Sequence, residues 1–121
     1  MNINEIIKLV NASNIHQIRS GTTHKFIDIT IVEMDSRFFV RPYKFAKNGW
    51  YDAFMENPKG EMKFGDIIVP IDGIIPDNLD ELNPKINKAF SKKLPVIYKT
   101  MRLGFDTKKH EALTLELIPK I

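Results

Sequence analysis

Apolar residues along this chain follow two different periods, and the switching between them predicts a mixed α+β domain. Ile3, Ile6, Ile7 and Val10 keep the three-to-four-residue spacing of one helix face, with Asn4 placed to cap that helix. Asn11 to Asn14 ends it. A short strand follows over Ile15–Arg19, and Ser20-Gly21-Thr22-Thr23 reads as a turn. From Phe26 to Met34 the period drops to two: Ile27, Ile29 and Ile31 point one way, Asp28 and Thr30 the other. Asp35-Ser36 makes a tight turn into a second strand over Arg37–Lys44, forming a hairpin.

Trp50–Glu56 returns to the helical period, with Trp50, Ala53 and Phe54 on one face. Glu61–Phe64 resumes a strand with Met62 and Phe64 inward. After Gly65-Asp66 the apolar phase moves to Ile67, Val69 and Ile71, which means a two-residue turn or a bulge. Pro70 suits an edge strand, and Asp72-Gly73 suits a further turn. Asp77 can cap one helical turn. Asn83-Pro84 then starts the main helix afresh, with Ile86, Ala89, Phe90 and Leu94 as its buried stripe and Lys92-Lys93 in its last turn. Pro95–Gly104 fits either a short helix or a loop. Leu113, Leu115 and Leu117 alternate as a closing strand. The strands are mostly consecutive and joined by hairpins, with short helices inserted. That order predicts an α+β fold built on an antiparallel barrel or a strongly curled sheet.

Length and composition narrow the chemistry. The 121 residues suffice for one domain, taken as 1–121, and a chain of this size buries a core without metal or disulfide staples. There is no Cys, which excludes disulfides, thiolate chemistry and Cys-ligated metal centres. His16, His24 and His110 are dispersed, so no metal site is expected. The N-terminal residues carry acid and no basic leader, and no apolar run approaches the roughly 20 residues of a membrane span, so a soluble, cytoplasmic protein is expected. The formal net charge is +3. The cations are scattered among acids, without the dense basic stripe of a nucleic-acid binder. The chain has no nucleophile elbow, no Ser-His-Asp order, no P-loop and no dinucleotide fingerprint.

Four motifs occur in order: Phe39-Val40-Arg41, Trp50-Tyr51, Ile86-Asn87-Lys88-Ala89-Phe90 and Thr114-Leu115-Glu116-Leu117-Ile118-Pro119. Together they resemble a small bacterial family catalogued as domain of unknown function 2255. That family falls within the flavin-binding split barrels, alongside pyridoxamine-phosphate-oxidase-like proteins and deazaflavin-dependent nitroreductases. In the nitroreductases a Trp-Tyr pair followed by Asn-Pro recurs after a basic cofactor-binding turn, and here that piece is Trp50-Tyr51 and Asn57-Pro58. The resemblance covers nearly the whole chain. It implies an antiparallel split β-barrel with short peripheral helices, a homodimer, and FMN or a deazaflavin at the subunit seam. The family has no established activity. This chain departs from it at Pro42, where members tend to have Ser, and at Asp28-Ile29-Thr30, where they tend to carry a Pro and a Trp.

Several side chains are candidates for a ligand site. Arg41, Lys44 and Lys47 would offer donors to a phosphate, with Tyr43 on the same strand face as Arg41. The alternative for Arg41 is an ion pair with Asp28 or Glu33. Arg19 and Thr22, with Ser20 and Thr23, form a Ser-Gly turn that presents hydroxyls and N–H groups to an anion, or an ordinary polar turn. Trp50 and Tyr51 would flank a flat ring, or Trp50 anchors the helix in the core and Tyr51 sits at a dimer seam. Two functions follow. One is a small-ligand-binding or interaction module without catalysis. The other is an FMN- or deazaflavin-dependent oxidoreductase with its cofactor at a homodimer seam.

Overall fold

The computed structural model describes residues 1–42, 49–95 and 111–121. It contains α1 (Ile3–Asn11), β1 (His16–Ser20), β2 (Ile27–Ile29), β3 (Val32–Met34), β4 (Arg37–Val40), α2 (Gly49–Glu56), β5 (Lys59–Phe64), β6 (Ile67–Ile74), α3 (Leu79–Lys93) and β7 (Leu115–Pro119). The seven strands form one antiparallel sheet in the order β2-β1-β5-β6-β7-β4-β3. The fold is an α+β antiparallel split barrel with short helices. Closure follows from chain continuity. β2 and β3 stand at opposite ends of the strand order, yet only Thr30 and Ile31 separate them. The three steps from Ile29 to Val32 span at most about 11 Å, so the sheet curls until its edges approach. The single alternating run over Phe26–Met34 is therefore divided into two strands at that corner.

Two apolar clusters result. The barrel interior gathers Ile18, Phe38, Val40, Met62, Ile71, Leu115 and Leu117, with Ile6 and Val10 from α1 and Phe54 from α2. The second cluster lies under α3 and joins Leu82, Ile86, Phe90 and Leu94 to Val32 and Phe39. Phe38, Phe39, Val40 and Arg41 are all buried because β4 is covered on both faces, by the barrel interior and by α3.

Several local expectations change. Asn2, not Asn4, caps α1: its Oδ1 accepts from Glu5 N–H while the Glu5 carboxylate accepts from Asn2 N–H, a reciprocal capping box. Asp72-Gly73 is no turn but part of β6, because the Phe54 ring occupies the space beside Gly73. Pro70 lies in an interior strand. Its carbonyl accepts from Lys120 N–H at 2.9 Å, so its missing donor faces β7 where that ladder ends, and the pairing with Glu61 on β5 is kept. The main helix starts at Leu79 and carries Pro84 inside, because Asn83 serves a different purpose than capping. The Asp35-Ser36 turn is as expected, with both residues at positive φ (53° and 63°).

Candidate functional site

The predicted site residues separate into two places. Arg41 follows β4 where Val40 pairs with Leu115, which sets it beside Thr114 and beneath α3. It is 2% exposed. Its Nε donates to Thr114 Oγ1 at 2.7 Å and its Nη2 to Asn83 Oδ1 at 2.9 Å. Its Nη1 donates to Asn87 Oδ1, and its guanidinium carbon lies 5.3 Å from the Phe90 ring centroid. Asn87 in turn donates to Glu111 at 2.8 Å. Neither carboxylate expected as a partner is involved. Asp28 is on β2, which does not neighbour β4, and its Oδ1 accepts from Gln17; Glu33 lies on the neighbouring β3 opposite Phe38, and its Oε2 accepts no hydrogen bond. Through Thr114, Asn83 and Asn87, Arg41 ties β4, α3 and the entry to β7 together.

Arg19 and Trp50 do come together. They line a cleft of about 330 Å³ between the β1–β2 connection and α2, with Ile18, Ile27, His24 and Lys25. Arg19 alternates outward on β1 opposite Glu61 of β5, and its Nε and Nη2 donate to Glu61 Oε1 at 2.8 and 2.6 Å. Its Nη1 donates to His24 O at 3.2 Å, and the guanidinium stacks 4.0 Å from the Phe26 ring centroid. These bonds use three of five N–H donors and hold the plane of the group. Ser20 is buried, and its Oγ hydrogen-bonds the carbonyls of Ala53 and Asn57 at the end of α2. That bond sets α2 against β1 and forms the back of the cleft; it leaves the hydroxyl no histidine partner.

Trp50 and Tyr51 are half-buried, stand edge to face at 5.9 Å and pack on the barrel core. Tyr51 is held against the core, and burial with the neighbouring Asp52 carboxylate raises its phenol pKa above the ordinary value. Thr22 is exposed in the turn and is not part of the cleft wall. Tyr43, Lys44 and Lys47 lie outside the described residues.

Two interior groups were not singled out in the sequence. Lys93, read as a cation at a helix end, turns back and donates to Val10 O at 2.8 Å and Ile31 O at 2.6 Å, and burial lowers its pKa to about 8. His16 Nε2 also meets Val10 O, at 3.0 Å, and burial lowers its pKa below the ordinary histidine value. A β-strand histidine beside a helix end was the available signal for His16. Nothing local marks Lys93, whose acceptors are 83 and 62 residues away.

Among the described residues, no group of three His, Asp or Glu side chains is placed to hold a metal ion. No helix among them is long and apolar enough to cross a membrane. No protein-family model matches the chain, and no curated protein matches it. Chemically, the cleft offers an indole surface, a fixed guanidinium and an exposed lysine at its rim, which suits holding a flat anionic molecule.

Proposed function

We propose that the chain is a split-barrel module that binds a small, flat, anionic molecule in the cleft between the β1–β2 connection and α2, and performs no catalysis on it. The observation that carries this reading is the convergence of Arg19 and Trp50 on one cleft of about 330 Å³. A cavity of that size suits a small organic ligand. Trp50 supplies a surface for stacking, and Lys25 supplies positive charge at the rim. The resemblance to the split-barrel family of unknown function agrees with it.

The alternative is an FMN- or deazaflavin-dependent oxidoreductase. The same indole surface would hold an isoalloxazine, and the cofactor would carry the electrons while the protein supplied donors and shape. In either reading Glu61 offsets part of the Arg19 charge, so the ligand's negative charge relies also on Lys25 at the rim. A homodimer accompanies either reading. Ile68 and Ile74 on β6 and Ile118 on β7 are 46%, 38% and 39% exposed, which is the apolar surface a second copy would cover. A monomer by light scattering would count against the dimer.

The test uses the single tryptophan, whose emission reports on the cleft. FMN titrated into purified protein should quench Trp50 saturably, and Lys25→Ala should weaken that binding about tenfold, or about 1.4 kcal/mol. Absence of a saturable response removes the cleft as a site for flat anions. Substrate reduction above the free-flavin background makes the oxidoreductase reading primary.

A further inference from the structure

A second cavity, of about 420 Å³, opens among the end of α1, β3 and the last turn of α3, and shares no wall residue with the cleft beside Trp50. Its walls hold opposite charges that do not meet. Glu33 enters from β3, and its Oε2 is buried and accepts no hydrogen bond. Such an oxygen is rare in a folded chain unless a ligand or water serves it. Lys92 and Lys93 enter from α3. The Lys93 ammonium spends two of its three donors on Val10 O and Ile31 O, so one N–H remains. Lys92 is exposed and free to reorient. Among the described residues no ion pair joins Glu33 to either lysine.

The charge pattern selects the ligand. A simple cation would satisfy Glu33 but be repelled by two lysines. A simple anion would satisfy the lysines and be repelled by Glu33. A molecule carrying both signs a few bonds apart satisfies both. Val32 and Ala89 supply a small apolar wall. We propose that this cavity binds a free α-amino acid with a small aliphatic side chain, its ammonium on Glu33, its carboxylate on Lys92 and Lys93, and its side chain against Val32 and Ala89.

Three probes of matched size test this on the full ¹⁵N-labelled chain by amide chemical shifts: L-valine, isobutylamine, which lacks the carboxylate, and 3-methylbutanoate, which lacks the ammonium. L-Valine should shift the amides of Glu33 and Lys93 saturably, with each half-molecule at least about tenfold weaker. Glu33→Gln and Lys92→Ala should each weaken L-valine binding about tenfold. Lys92 is on the surface, so its variant tests the site even if Glu33→Gln fails to fold. No saturable shift with L-valine overturns the proposal. So does equal binding of either half-molecule, or unchanged affinity in Lys92→Ala.

Discussion

Lys93 Nζ lies 2.6 Å from the carbonyl oxygen of Ile31, the corner where β2 passes into β3. The same ammonium holds Val10 O at the end of α1. One side chain therefore pins the last turn of α3 to both the barrel's corner and a second helix.

That position makes stability depend on pH in an uncommon direction. Burial lowers the Lys93 pKa from 10.5 to about 8, so the folded chain disfavours the protonated form. The unfolded chain then binds more protons between those values, and stability rises with pH across that window. The raised Tyr51 phenol acts oppositely above its ordinary value of 10.0, because there the unfolded chain ionises first. Urea midpoints measured from pH 8 to 10 should climb in the wild type and stay flatter in Lys93→Met. Parallel profiles would show that Lys93 titrates normally.

Arg41 should prove structural. Arg41→Lys replaces a fork that reaches Thr114, Asn83 and Asn87 with one ammonium on a differently shaped stem. At least one buried acceptor loses its donor, and the expected loss is about 1–3 kcal/mol. Urea unfolding measures it. An unchanged midpoint would mean that the lysine re-forms the network.

Gly73 has no room for a side chain. A Cβ there would lie 2.6 Å from Phe54 Cδ1 and 3.0 Å from Leu115 Cδ2, both in the barrel core. Gly73→Ala should cost about 1–3 kcal/mol through overpacking. Because Phe54 belongs to α2, the displaced helix should also change Trp50 emission. A wild-type spectrum with wild-type stability would refute this packing.

The β3–β4 turn holds slack that can be removed. Ser36 sits at φ 63° without being glycine. Ser36→Gly should raise stability by about 0.5–1 kcal/mol, since the strain of that conformation exceeds glycine's added chain entropy. Thermal unfolding checks the sign.

The local elements were legible in the sequence because they depend on near neighbours. The face of Ile6 and Val10 follows from helical spacing, and the inward set Met62, Phe64, Val69 and Ile71 follows from strand alternation across Gly65-Asp66. Arg19 and Trp50 are separate candidates by residue type, Trp50 being grouped with Arg41, Lys44 and Lys47, and only the fold places Arg19 and Trp50 on one cleft. Other roles depended on distant partners. Asn83 before Pro84 has the pattern of a helix cap, yet an arginine 42 residues away draws its side chain inward. Gly73 follows an Asp as in a turn, yet the Phe54 ring makes it a strand position. The sequence by itself determined most of the helices and strands and their inward faces, since periodicity and turn chemistry act over a few residues; the split of Phe26–Met34 and the strand at Gly73 came from the fold. Only the tertiary structure decided which polar groups are buried and whom they serve. A buried donor must take whatever acceptor closure of the barrel brings within about 3 Å, and for Arg41 and Thr114 that acceptor is 73 residues along the chain.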